Sequence, residues 1–393
     1  MEVLFVSHKH PPTTGGMEKQ SYELVNNMRS LCKVHKLIYQ GIGNKFIFFC
    51  KLKREIRKIC AKHPEISVIH FNDGLIATYY LLFSLKTLSP KIKYAVTLHG
   101  LDVVYPSWVY SKILFPRLNR FDVILPVSNA TAEEAMRLGI NQHKIVVIPN
   151  GVDEHIAQHK FSLNFHDDFQ RKHHIDLRDK HILVAMGRPV KRKGFSWFIE
   201  QVLPMLDNNY VVLLIGPFHW KKTRLEKFLS FLPPFIREKI ALFLGFPTDE
   251  PLLRRLLSTP SIRKRVKQLG RLPFPEVLDV LHHARAFIMP NICVKGDMEG
   301  FGLVCLEASL CGTAVFAAAT GGIPDAVVDA KNGYLVQAGN EEEWVEKLNK
   351  WIKDPAFKEK GRTFKEYTQQ NYSWTKMARA YYEEFLKLSD RVG

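Results

Sequence analysis

The feature that most limits what this chain can fold into is an alternation, repeated in both halves, of short β-branched or apolar runs with longer amphipathic stretches. Val3–Val6, Val68–Phe71, Tyr94–Leu98, Val123–Val127 and Ile145–Ile148 read as strands of a first unit. His181–Met186, Tyr210–Ile215, Ala286–Met289 and Ala314–Ala317 read as strands of a second. Helical patterns at Lys19–Leu31, Thr131–Leu138, Phe195–Met205 and Pro275–His283 lie between them. Successive strands joined through helices pair in parallel, so the pattern predicts an α/β protein of two doubly wound domains. A length of 393 residues, more than one core usually supports, agrees. The seam is expected between Val152 and Arg178, after the turn signal Pro149-Asn150-Gly151, and Trp374–Leu388 reads as a terminal helix.

Charge narrows the possible partners. The formal net charge is +17, and the windows Lys45–Cys60 and His219–Arg271 contribute +5 and +9 of it. So local an excess points to a particular anionic partner. In both windows the basic residues interleave with apolar ones at helical spacing: Phe49, Leu52, Ile56 and Ile59 in the first, Leu225, Phe228, Leu229 and Leu232 in the second. Such helices suit an anionic membrane surface. Nucleic acid is the rival anion, but no helix-turn-helix, zinc or RNP-type signature is present, and the expectation is no nucleic-acid partner. The apolar run Gly74–Leu85 is too short to span a bilayer, no export signal is read at the start, and six scattered cysteines suggest reduced thiols. These features predict a cytoplasmic protein, docked peripherally on the inner face of the membrane.

In open α/β sheets ligands bind beyond the carboxyl ends of the strands, so the loops there carry the chemistry. After Val6 comes His8-Lys9-His10-Pro11-Pro12-Thr13-Thr14-Gly15-Gly16, whose adjacent glycines before a helix would let backbone amides approach a phosphate. After Met186 comes Gly187-Arg188-Pro189-Val190-Lys191-Arg192-Lys193-Gly194. Four cations before a helix amino terminus oppose the macrodipole, and a bound polyanion would offset that cost. The third constellation is Glu299-Gly300-Phe301-Gly302-Leu303-Val304-Cys305-Leu306-Glu307, with a helix expected to open near Gly302. It sets one carboxylate in the loop and a second more than a turn into the helix.

These motifs resemble the family-four retaining glycosyltransferases of the GT-B fold. Glu299 to Glu307 matches the family's E-x7-E element, and Arg188 with Lys193 its diphosphate clamp. Gly15-Gly16-Met17-Glu18, Thr97-Leu98-His99-Gly100, Val127-Ser128, Pro149-Asn150-Gly151-Val152-Asp153, Gly270-Arg271-Leu272-Pro273 and Gly321-Gly322-Ile323-Pro324 follow in the family's order. The resemblance implies two Rossmann-like domains facing a central cleft. The acceptor-side domain would be 1–165 plus 374–393, and the nucleotide-sugar-binding domain 166–373. A basic insertion at about 217–268 departs from the family's short turn after Gly216. The implied catalytic residues are Arg188, Lys193, Glu299 and His99. Gly16, Leu272, Phe301, Gly302, Leu303 and Glu307 would bind the donor, and Gly15 and Asp102 would lie on the acceptor side. The implied reaction moves a hexose-type sugar from a UDP- or GDP-linked donor to a hydroxyl acceptor, lipid-linked or part of a cell-envelope glycan. No D-x-D motif is present, which agrees with the absence of a metal or other cofactor in the implied mechanism. A soluble acceptor, or a GT-B epimerase or phosphorylase, are the rival readings.

Overall fold

The computed structural model describes residues 1–13, 15–41, 43–83, 88–218 and 248–390. They form two compact units, Met1–Val152 with Tyr372–Gly393, and Asp153–Asn371.

The first unit is a parallel sheet of order β2-β1-β3-β4-β5: β1 Glu2–Ser7, β2 Lys33–Ile38, β3 Ile66–Phe71, β4 Lys93–Leu98 and β5 Val123–Pro126. The central strands are largely apolar, as burial on both faces demands, and Val3, Leu4, Val68, Ile69, Val96 and Leu98 are fully buried. β2, Lys-Val-His-Lys-Leu-Ile, escaped the sequence reading because an edge strand faces solvent and alternates weakly. Ile145–Ile148 was expected as a strand but reaches the sheet only through single bonds, from the Val146 amide to Ile124 and the Ile148 amide to Pro126. The carboxy-terminal helix, Trp374–Asp390, packs on the Gly16–Met28 helix of this unit. There the Tyr381 hydroxyl meets Thr97 Oγ1 at 2.9 Å and accepts from Gln20 at 3.4 Å.

The second unit is a parallel sheet of order β11-β10-β9-β6-β7-β8. Its strands are β6 His181–Met186, β7 Tyr210–Ile215, β8 Val266–Gly270, β9 Ala286–Met289, β10 Val315–Ala318 and β11 Tyr334–Val336. The edge strands β8 and β11 were again missed from sequence. The Phe195–Met205 stretch is helical but changes type, from α to a π turn at Phe198–Val202 and a 3-10 turn at Leu203–Met205. Pro204, which has no amide hydrogen to donate, falls in that last turn.

Two expected boundaries need correction. The segment 153–165 belongs to the second unit. Phe161 stacks on His282 at 3.7 Å, Phe165 on His283 at 4.3 Å, and Lys365 donates to the Ala157 carbonyl. Likewise residues 248–268, expected within the insertion, form core elements of the second unit. Residues 248–270 build the Glu250–Ser258 helix, the Pro260–Arg265 helix and β8, with Leu253, Leu256 and Leu257 buried in the core. Residues 219–247 of the expected insertion, including Leu225, Phe228, Leu229 and Leu232, lie outside the described residues.

Candidate active site

Each sheet has a point where the strand order reverses, and the chemistry gathers at both. In the second unit the reversal lies between β6 and β9. The loop after β6 starts at Gly187, whose φ is 138°, and winds through Lys191–Lys193 to Gly194 at φ 64°. Gly194 has no substitute: a Cβ there would stand 1.9 Å from the Pro290 carbonyl oxygen. That close approach presses the cationic turn against the loop after β9, and the Ile292 amide donates to the Arg192 carbonyl at 2.9 Å.

Lys193 and Glu299, both expected as site residues, meet here, Nζ to Oε2 at 2.9 Å. Arg192 reaches the same carboxylate oxygen at 3.3 Å and spans Asp297 with two bonds of 3.1 Å, while Asn291 donates to Glu299 at 3.4 Å. Arg192 and Lys193 are buried, and Glu299 nearly so. Burial alone would raise the Glu299 carboxyl, but Lys193 and then Arg192 overcome it and hold the group at about 2. Asp297 behaves oppositely: burial pushes it up in spite of Arg192.

Glu299 is also fixed through its backbone. The Gly322 amide donates to its carbonyl at 2.8 Å, and a Cβ on Gly321, at φ 56°, would come within 2.7 Å of that oxygen. This gives Gly321-Gly322 a physical role: side-chain-free backbone lets the loop after β10 close over Glu299. Gly302, at φ 100°, starts the Leu303–Leu310 helix, and the Cys305 amide donates to its carbonyl at 2.9 Å. Phe301 is buried, Leu303 half-buried, and Glu307 buried within the helix. Leu272 follows β8 and is half-buried, and Arg188 lies in the turn after Gly187. Arg192, Asp297 and Asn291 were not singled out from sequence. Only the four-cation loop signalled Arg192, and nothing in the local sequence signalled the other two.

In the first unit the reversal lies between β1 and β3. His8 and Asp73, from the ends of those strands, meet at 3.0 Å with both side chains nearly inaccessible. His99 follows β4, bonds the Asn72 carbonyl through Nε2 at 3.0 Å, and is held below the ordinary histidine value by burial. Asp102 turns back to accept from the His99 amide at 2.7 Å, which caps the short Gly100–Val104 helix. Burial, then the neighbouring Asp73, pushes the Asp102 carboxyl up to about 8. Gly15 precedes the Gly16–Met28 helix and leaves room for the Glu18 carboxylate, which lies 3.6 Å from Lys9. The sequence flagged the His8–Gly16 loop for its glycines but not His8, and it missed Asp73.

The family model described as Glycosyl transferases group 1 matches residues 166–371, and the model Glycosyltransferase Family 4 matches residues 2–155. The chain belongs to glycosyltransferase family four. The chain is 27% identical over 269 residues to a D-inositol 3-phosphate glycosyltransferase of Pseudarthrobacter chlorophenolicus, covering 68% of this chain and 56% of the relative. It is 25% identical over 291 residues to a GDP-mannose-dependent alpha-(1-6)-phosphatidylinositol monomannoside mannosyltransferase of Mycolicibacterium smegmatis, covering 72% and 65%. The matches thus span little more than half to about two thirds of those relatives. Its fold is GT-B, like that of Anabaena Alr3699/HepE in complex with UDP and glucose, with a TM-score of 0.71 at 16% identity over 98% of this chain and 100% of the other.

Proposed function

We propose that this glycosyltransferase moves a hexose-type sugar from a UDP- or GDP-linked donor to a hydroxyl acceptor, with retention of configuration and without a metal. The observation that carries this reading is the buried charge cluster at the second sheet's reversal point, where Lys193 and Arg192 converge on Glu299. As the glycosidic bond breaks, negative charge develops on the departing diphosphate. Arg188 and Lys193 supply the positive charge that stabilises it, work that a metal ion does elsewhere. Glu299, ionised at any physiological pH, can only accept hydrogen bonds, which suits the hydroxyls of the donor sugar. Backbone amides at Phe301, Gly302 and Leu303 support the diphosphate and sugar, Glu307 takes the ribose hydroxyls, and Leu272 borders the base. From the first unit, Gly16 is assigned to the phosphates and Gly15 to the acceptor. His99, neutral at pH 7, is assigned to the reacting sugar, and Asp102 holds the acceptor-side turn through the His99 amide. In front-face attack the leaving phosphate oxygen takes the acceptor's proton, so no separate general base is required.

The assay is release of nucleoside diphosphate from UDP- and GDP-hexoses, with and without acceptor. Release that requires acceptor and persists in excess EDTA is the expected result. Release without acceptor would favour a hydrolytic or isomerising reaction, and loss in EDTA with rescue by Mg²⁺ or Mn²⁺ would overturn the metal-independent mechanism.

A lipid-linked acceptor presented at the inner face of a cytoplasmic membrane is the proposed setting. The Lys45–Lys62 helix supports it: Leu52 and Ile56 pack inward, Phe46 (72% exposed) and Ile47 (48%) stand out at its start, and Lys45, Lys51, Arg54, Arg57 and Lys58 are exposed along it. Each basic side chain near an anionic surface contributes about 1 kcal/mol. Among the described residues no helix is long and apolar enough to cross a membrane. Salt-sensitive co-sedimentation with anionic but not neutral vesicles is expected, and equal binding to both, or none, would favour a soluble acceptor.

A further inference from the structure

At the amino-terminal ends of the first unit's strands, opposite to His8, Asp73 and His99, three side chains with metal-binding atoms converge. Glu2 opens β1, His35 lies on the neighbouring edge strand β2, and His63 caps the carboxyl end of the Lys45–Lys62 helix. Parallel register sets Glu2 beside Lys33 and Leu4 beside His35. The result is a close cluster. Glu2 Oε2 lies 2.6 Å from His35 Nε2, the two imidazole rings lie 4.2 Å apart, and one ligand atom from each residue falls within 4.8 Å of the others.

We propose that Glu2, His35 and His63 form a Zn(II) site that clips the edge strand β2 and the end of the Lys45–Lys62 helix to the first strand. Two imidazoles and one carboxylate are a donor set that zinc favours, with the fourth position left to water. Two imidazoles this close cannot both carry charge cheaply. His63 accordingly sits below its ordinary value, through desolvation and then the charges of His35, Lys62 and Lys33. A neutral imidazole offers the lone pair a metal needs. Among the described residues no hydrogen bond fixes the His63 ring, which is half-exposed and can turn toward the others. Glu2 is held below the usual carboxylate range by bonds from Lys33 and His35, so it is ionised at neutral pH. Lys33 occupies the other Glu2 oxygen at 2.8 Å, but its side chain is 64% exposed and can swing into solvent when a dication binds. Zinc–ligand distances of about 2.0–2.2 Å require the three groups to draw together slightly, which the partly exposed His63 allows.

The test uses the full chain without a polyhistidine tag, stripped with EDTA and dialysed, titrated with zinc chloride by calorimetry at pH 7.5, with bound metal quantified by mass spectrometry. One equivalent is expected. His35→Ala and His63→Ala should each weaken binding roughly tenfold or more, whereas His155→Ala, an exposed histidine elsewhere, should not. Affinity should fall as pH is lowered, because metal ligands bind in their deprotonated form. Zinc should also raise the Tm of the native chain and leave that of His63→Gln unchanged. Because His63 is half-exposed at a helix end, His63→Gln keeps the test decisive even where His35→Ala folds poorly. The absence of a saturable equivalent, or native affinity in both the His35 and His63 variants, overturns the proposal. Transfer activity should be the same in stripped and zinc-loaded protein, so this result is independent of the sugar-transfer mechanism.

Discussion

Glu299→Gln separates the electrostatic role of this carboxylate from its shape. In the native chain Lys193 and Arg192 hold the group at about 2, against an ordinary 4.5. A depressed carboxyl contributes stability that is fully present above its unfolded value and is lost as pH falls through its folded value. The difference between 4.5 and about 2 corresponds to a contribution on the order of 3 kcal/mol at pH 7. Glutamine keeps the size and one acceptor oxygen but removes the charge, leaving Lys193 buried without its carboxylate while Arg192 retains Asp297. The variant should therefore lose roughly 3 kcal/mol at pH 7, and the gap to the native chain should narrow to about half by pH 3. Urea unfolding of both chains at pH 7, 5, 4 and 3 measures this, and the comparison cancels every other titrating group. A loss below about 0.5 kcal/mol at pH 7, or a gap that does not shrink with acid, would refute the ion-pair account. Turnover should drop alongside, because an uncharged amide cannot replace the carboxylate as a strong acceptor for the sugar hydroxyls.

Arg188→Ala and Lys193→Ala should each lower kcat on the order of 10²-fold or more, and near-native turnover by both would remove them from the clamp. Glu307→Ala should chiefly weaken nucleoside diphosphate binding; unchanged affinity by calorimetry would exclude the ribose assignment. Asp102, raised to about 8, has the opposite linkage to Glu299, with stability present below the unfolded value and lost as pH rises through 4 to 8. Asp102→Asn, which can still accept from the His99 amide, should therefore gain stability relative to the native chain between pH 5 and pH 9 in thermal melts, and a constant difference across that range would contradict the buried-acid reading.

How legible each part was follows from where its information lies. The central strands β1, β3, β4, β6, β7 and β9 were readable because burial on both faces forces continuous apolar runs. The edge strands β2 and β8 were not, since solvent on one side permits lysine, glutamine and glycine within them, and β11 is apolar but only three residues long. Among site residues, Arg188, Lys193, Glu299 and Glu307 stood out because glycines and charges cluster around them in the chain. Asp297 and Asn291 did not, because neither carries a local mark and each matters only by facing Arg192 or Glu299 across a loop.

The sequence by itself determined that two parallel α/β units form, that cations precede a helix after β6, and that glycines open the helix carrying Glu307. Each of these rests on chain-local physics: periodicity, macrodipole sign and backbone freedom. Only the tertiary structure decided that Gly194 lies against Pro290, that Arg192 rather than solvent shares Glu299 with Lys193, and that His8 from one strand meets Asp73 from another. Those pairings join residues far apart in the chain, and their strength depends on how completely water is excluded between them, a property that exists only once the sheets have formed.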